Sequence, residues 1–133
     1  MRLTVHVDGG ARGNPGPAAI AAVFTNADGE VIHEASETIG RATNNVAEYR
    51  ALIMGIERAH ELGATELELI GDSELVVKQV RGEYRVKDAG LKPLHSAAQS
   101  GLGNFAEWTI RHVKRERNAA ADALVNQALD AEA

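Results

Sequence analysis

Four carboxylates lie where folding alone does not readily explain a charged residue. Asp8 and Asp72 each end a short apolar run typical of a strand, whereas Glu48 lies on the apolar stripe in the first turn of a predicted helix and Asp122 opens the last predicted helix. Side chains from two strand ends and two helix starts can converge on one point. Their mutual repulsion would then require neutralising cations, and paired divalent ions with oxygen ligands carry out phosphodiester hydrolysis. The pattern predicts a metal-dependent nuclease.

Each acid also has a purely structural explanation. Asp8 could be a turn residue, and Asp72 could cap the helix that follows it. Glu48 could be the capping-box partner of Asn45, and Asp122 could complement a helix dipole. Taken singly, these explanations are about as good as metal ligation. Four coincidences together are harder to accept than one metal site.

The composition indicates one domain over residues 1–133. The length and a hydrophobic content of 44% suit a single core. The chain has no cysteine, which excludes disulfides and zinc–thiolate sites, and its five histidines lack the spacing of a helical metal pair. No segment has the apolar core of a signal peptide or the roughly 20 apolar residues that span a bilayer, so we expect a cytoplasmic protein.

The charge is unevenly distributed along the chain. The net charge of −5 argues against bulk attraction to nucleic acid. Residues 78–117, however, hold nine Lys or Arg and four acids, so this segment carries +5 and the remainder −10. This asymmetry predicts one face that meets an anion, and the alternative is a solvated surface with uneven charges.

Hydrophobic periodicity predicts an α/β fold. Residues 9–17 form a Gly- and Pro-rich loop between the first two strands, and Pro93 interrupts the third helix. Short turns make the first three strands antiparallel, and a later β-α-β pattern makes the last two parallel, which predicts a five-stranded mixed sheet flanked by helices. The predicted strands are 3–8, 18–25, 30–39, 66–70 and 105–113, and the predicted helices are 46–62, 73–81, 87–101 and 118–131.

Two polar segments could bind a phosphate ligand. Asn14 lies among glycines that let a backbone approach a ligand closely. Thr43, Asn44 and Asn45 place polar side chains and free N–H donors at a helix start. Ordinary turn and cap chemistry explains both segments about equally well.

Four segments together resemble the motifs of type 1 ribonuclease H, in the order in which that family has them. They span nearly the whole chain, and the resemblance is closest to the family's compact bacterial and archaeal branch. The segments are 8–17 (DGGARGNPGP), 43–48 (TNNVAE), 71–73 (GDS) and 118–124 (NAAADAL).

The resemblance implies a ribonuclease H-like fold and an endonuclease that cuts the RNA strand of RNA/DNA hybrids. It implies two Mg²⁺ ions, with Mn²⁺ as a substitute, and products with 5′-phosphate and 3′-hydroxyl ends. Asp8, Glu48, Asp72 and Asp122 match the metal-binding acids, with Asp8 bridging both ions. We expect a monomer.

The resemblance also implies residues that contact the hybrid. Asn14, Asn44 and Asn45 match residues that touch 2′-hydroxyl groups or the minor groove of the hybrid. Thr43 matches a contact to a DNA-strand phosphate. Contacts to 2′-hydroxyl groups are how a protein distinguishes RNA from DNA.

The chain departs from the family pattern in three places. Many members carry a histidine in a loop before the last acid, but residues 113–118 contain none, so Arg115 is the candidate replacement and Arg117 the next. Glu74 stands where some relatives use a neutral amide to contact RNA. The segment 81–92 is shorter and less basic than the long basic segment that well-known relatives have after the third helix, which predicts modest hybrid affinity.

Two other functions are compatible with the same fold. One is a DNA-cutting relative such as a junction resolvase or transposase core, against which the asparagines that match RNA contacts argue. The other is a non-catalytic hybrid-binding module, which would not need four acids beside a phosphate.

Overall fold

The computed structural model describes residues 1–132, which form one five-stranded sheet with helices on both faces. The strands are β1 (Arg2–Ala11), β2 (Gly16–Thr25), β3 (Val31–Ala42), β4 (Glu66–Gly71) and β5 (Glu107–His112). The helices are α1 (Asn44–Glu61), α2 (Glu74–Val80), α3 (Lys92–Leu102) and α4 (Ala119–Glu132), and one 3₁₀ turn spans Arg115–Arg117.

The sheet has the order β3-β2-β1-β4-β5. The pairs β1–β2 and β2–β3 are antiparallel, and the pairs β1–β4 and β4–β5 are parallel. The predicted mixed sheet, with three antiparallel strands followed by two parallel ones, is therefore confirmed. Its central strand, β1, carries Asp8.

The predicted end of the first strand is wrong. β1 continues to Ala11 because Gly9 and Gly10 stay in the ladder with β2, so Asp8 lies inside a strand and not at its end. The predicted loop over residues 9–17 shrinks accordingly. β3 likewise extends to Ala42, three residues beyond its predicted end.

Two predicted helix starts are also wrong. α1 begins at Asn44 because the Thr43 hydroxyl accepts a hydrogen bond from the Val46 N–H, so Glu48 lies beyond the first turn. α3 begins at Lys92, so Pro93 starts the helix and does not interrupt it. Proline is tolerated in a first turn, where its missing N–H would have no partner.

The two faces of the sheet are covered unequally. One face packs against α1, α2 and α3 in the main core. On the other face a small cluster of Ala19 and Ala21 from β2 with Val125 and Leu129 from α4 holds the last helix. Within residues 1–132, no helix combines the length and the apolar character needed to cross a bilayer.

Candidate active site

Three of the four predicted acids lie close together beside the carboxyl end of β4. Asp8 comes from β1, Glu48 from α1, and Asp72 from the turn between β4 and α2. Ligand oxygens of the three carboxylates all lie within 4.8 Å of one another. They meet because β1 and β4 are parallel neighbours, so that β4 delivers Asp72 beside Asp8.

Gly9 makes the approach of α1 to β1 possible. A Cβ atom at this position would overlap the backbone carbonyl of Ala47 and would lie 2.7 Å from the Glu48 nitrogen. Only a glycine leaves room for the helix backbone at this point. The absence of a side chain at Gly9 therefore allows α1 to lie close enough to β1 for Glu48 to be near Asp8.

Helix capping does not account for Asp72 or Glu48. The cap of α2 is Ser73, whose hydroxyl accepts a hydrogen bond from Val76, and the cap of α1 is Thr43. Both carboxylates are therefore available to a ligand. Asp122 does lie in the first turn of α4, where its charge also suits the helix dipole.

Asp122 lines the same cleft, of about 510 Å³, and its carboxylate lies beside Asp8, but it is not part of the group of three carboxylates whose oxygens are all within 4.8 Å of one another. Its carboxylate accepts a hydrogen bond from the Arg115 guanidinium at 3.2 Å and one from the Asn126 amide at 3.4 Å. Asn126 was missed in the sequence, although its spacing of four from Asp122 puts the two on one helix face.

The electrostatics of the cleft favour a bound cation. Burial, followed by the charges of Asp72 and Asp122, raises the pKa of Asp8 to about 8, although Arg115 opposes the shift. Burial and the charge of Asp8 also raise the pKa of Glu48 well above its usual range. A cluster of carboxylates with too few neighbouring cations offers oxygen ligands of the kind that a hard divalent ion prefers.

The residues matched to hybrid contacts lie on two segments that hydrogen bonds join beside the cleft. The Asn14 side-chain oxygen accepts a hydrogen bond from the Asn44 N–H at 3.0 Å, and the Asn44 side-chain oxygen accepts one from the Ala11 N–H at 2.9 Å. Asn44 also lines the cleft. Asn45 is exposed, and Thr43 caps the helix.

The basic segment 78–117 is partly neutralised by neighbouring acids. Four of its basic side chains have a carboxylate oxygen within 3.5 Å, namely Lys78, Arg81, Arg111 and Arg115. Lys78 binds Glu74 at 2.8 Å, so the acid that stands where some relatives have an amide is already paired. The anion-binding face predicted from this segment stays a prediction.

Two further residues beside the acids were not singled out in the sequence. Arg12 lines the cleft and binds Asp130 of α4 at 2.6 Å. Asn118 is buried and donates a hydrogen bond to the Val7 carbonyl at 2.8 Å. Neither pairing has a local sequence signal, since the partners are more than 100 residues apart.

Comparison with known proteins gives a consistent result. A family described as reverse transcriptase-like matches residues 6–128. Ribonuclease HI of Halobacterium salinarum is 47% identical over 129 residues, or 97% of this chain. The crystal structure of ribonuclease H1 from that organism has a TM-score of 0.96 at 46% identity and covers 98% of this chain and 99% of that chain. LC11-RNase H1, solved in complex with an RNA/DNA hybrid, has a TM-score of 0.93 at 42% identity, with 98% of each chain covered.

Some relatives are longer than this chain. It spans 65% of the Halobacterium sequence. It spans 37% of a bifunctional protein of Mycobacterium tuberculosis, to which it is 48% identical over 134 residues.

Proposed function

Because the chain belongs to the type 1 ribonuclease H family, we propose that it is an endonuclease that hydrolyses the RNA strand of RNA/DNA hybrids. The observation that carries the proposal is the cluster of Asp8, Glu48 and Asp72 in a cleft beside Asn44. We further propose that residues 1–133 make up one ribonuclease H domain. Its monomeric state and cytoplasmic location stay predictions.

Asp8, Glu48 and Asp72 are the proposed ligands of divalent cations, with Asp122 as the fourth. The support is the three-carboxylate cluster and the raised pKa values of Asp8 and Glu48. Two Mg²⁺ ions, with Mn²⁺ as a substitute, would supply water activation and stabilisation of the leaving 3′-oxygen. Asp8 is the proposed bridging ligand because it is central: the charges of Asp72 and Asp122 raise its pKa, and its own charge raises the pKa of Glu48.

Arg115 is the proposed phosphate-facing cation. Its guanidinium now neutralises Asp122 from an exposed 3₁₀ turn, so a small rotation can carry it toward a phosphate in the cleft. A permanent cation cannot act as a general base, but it can stabilise negative charge that develops on the phosphate or help release a 5′-phosphate product. Arg117, which is exposed on the same turn, is the next candidate.

The asparagines are proposed to select RNA over DNA. The side-chain oxygen of Asn44 already accepts from Ala11, which leaves its amino group as the donor that can face the substrate. Asn14 holds the backbone of Asn44, and Asn45 is exposed beside it. A donor held in this way can recognise the acceptor oxygen of a 2′-hydroxyl group. Thr43 is proposed to contact a DNA-strand phosphate.

One assay tests the proposal against its two alternatives. Labelled RNA/DNA hybrid, double-stranded RNA and double-stranded DNA are each incubated with protein and Mg²⁺. We expect cleavage of the RNA strand of the hybrid and none of double-stranded DNA, with 5′-phosphate products. Comparable cleavage of double-stranded DNA would favour a resolvase-like enzyme. Hybrid binding without cleavage of any substrate would favour a binding module.

A further inference from the structure

Asn118 links two distant parts of the chain beside the acidic cluster. It immediately precedes α4, is 1% exposed, and is one of three buried polar residues within residues 1–132. Its side-chain amide donates to the Val7 carbonyl at 2.8 Å across 111 positions of sequence. The hydrogen bond therefore joins the start of the last helix to the central strand.

The bond lies where two parallel strands separate. The β1–β4 pairing ends at Val7 and Gly71. The Val7 carbonyl oxygen lies 3.9 Å from the position of a Cβ on Gly71, so it faces β4. Past this pair, β4 ends and the chain turns through Asp72 into α2, whereas β1 continues through Asp8. The Asn118 side-chain amide thus donates a hydrogen bond to the Val7 carbonyl at the position where a longer β4 would have placed a backbone N–H.

Asn118 is also bonded to the backbone of Asp122. Its own carbonyl accepts the Asp122 N–H at 3.1 Å, while its side chain holds the residue that precedes Asp8. The two polar groups of one buried residue therefore connect the backbones that carry Asp8 and Asp122.

Helix capping alone does not account for this residue. A capping asparagine uses its side-chain oxygen to accept an N–H from the first turn. The Asn118 side-chain oxygen is buried and has no hydrogen-bond partner among residues 1–132. The side chain therefore acts through its amino group, toward β1.

We propose that Asn118 is a positioning residue that sets Asp122 against Asp8 and thereby completes the cation site. The inference rests on the proposed function, since it assumes that the four acids bind divalent ions together. Residues that orient metal ligands without touching the metal typically change metal affinity or activity by about 10- to 100-fold when they are replaced. We expect a loss of this size here.

The test compares Asn118→Leu with Gln79→Leu. Both variants replace a buried amide by an apolar side chain of similar size. Gln79 accepts from the Tyr49 hydroxyl at 2.6 Å within the main core and serves as the matched control. Thermal unfolding of each protein is followed as Mg²⁺ is titrated, and kcat and KM are measured on an RNA/DNA hybrid.

We expect both variants to have a lower Tm in EDTA. Only Asn118→Leu should need roughly tenfold or more Mg²⁺ for half of its stabilisation and show a kcat at least about tenfold lower, with KM changed less than about threefold. If Asn118→Leu is unfolded, the same measurements on Asn118→Ala decide the question.

The outcomes separate the two proposals. A wild-type protein that neither gains stability with Mg²⁺ nor cuts the hybrid contradicts the proposed function itself. If the wild type does both and the Asn118 variant has a Mg²⁺ midpoint within about twofold of wild type, only the positioning role is wrong. Equal shifts in the midpoint for the Asn118 and Gln79 variants would also overturn it, because general destabilisation would then explain both.

Discussion

Replacing Asp8 by asparagine should stabilise the metal-free protein while abolishing hydrolysis. Asp8 is 5% exposed and its pKa is raised to about 8, chiefly by burial and then by Asp72 and Asp122. The folded state therefore binds a proton that the unfolded state releases near pH 4. Because the folded state holds more protons between about pH 4 and pH 8, the stability of the wild type falls as pH rises through that window. Asparagine is neutral throughout and can still donate to Asp122.

The magnitude follows from the two pKa values of Asp8. With a folded value of about 8 and an ordinary value of 3.8, the linkage cost at pH 7 is about 4 kcal/mol. Because the charge of Asp8 also raises the pKa of Glu48, the two acids contribute to one repulsion, and we expect Asp8→Asn to gain roughly 2–4 kcal/mol in EDTA at pH 7. For a domain of this size that corresponds to an increase in Tm of roughly 10 °C.

The assay is thermal unfolding in EDTA from pH 4 to pH 8, repeated with Mg²⁺. Asp28→Asn, which neutralises an exposed acid in the turn between β2 and β3, is the control for a change in net charge. The advantage of Asp8→Asn should vanish near pH 4, and Mg²⁺ should stabilise the wild type more than the variant. A Tm for Asp8→Asn at or below wild type at pH 7 in EDTA would refute the electrostatic reasoning. A retained rate above about a tenth of wild type would refute the bridging role.

Three further predictions concern catalysis, substrate and packing. Arg115→Ala should lower kcat substantially with a smaller change in KM, and Arg115→Lys should recover only part of the rate, because a point charge replaces a bidentate fork; a wild-type kcat for Arg115→Ala would shift the role to Arg117. A hybrid in which all but one ribonucleotide is replaced by deoxynucleotides should be cut poorly, and rapid cleavage of it would argue against recognition of 2′-hydroxyl groups. Gly9→Ala should cost about 1–3 kcal/mol in urea unfolding and weaken Mg²⁺ stabilisation, because its Cβ would overlap the Ala47 carbonyl. Gly10→Ala is the matched control, since its Cβ would meet only the Val125 side chain at 3.7 Å, and equal losses in the two variants would contradict the argument.

The sequence alone determined the order and type of the elements. Apolar alternation, helical stripes and turn residues act over a few positions, and they predicted a mixed sheet that the structure confirms. The same local signals failed at element ends. Gly9 and Gly10 look like a loop in isolation, but β2 supplies partners that keep them in the ladder. Thr43 started α1 earlier than periodicity indicated.

The convergence of Asp8, Glu48 and Asp72 was also predicted from the sequence, because carboxylates next to apolar strand and helix residues are costly to bury without a partner. What the sequence could not show is how the four acids divide. Asp8, Glu48 and Asp72 share one cluster, whereas Asp122 lies beside Asp8 outside that cluster and accepts hydrogen bonds from Arg115 and Asn126. That division depends on how closely α1 and α4 approach β1 from opposite faces of the sheet.

Long-range contacts decided the rest. The Asn118–Val7 hydrogen bond spans 111 positions and the Arg12–Asp130 pair spans 118, and no periodicity or motif in one sequence reports such pairings. They exist only once the sheet has brought the two chain ends together. Local sequence therefore identified the candidate acids. The distances between them and their pKa values arise from packing, since both depend on burial and on neighbours that only the folded chain supplies.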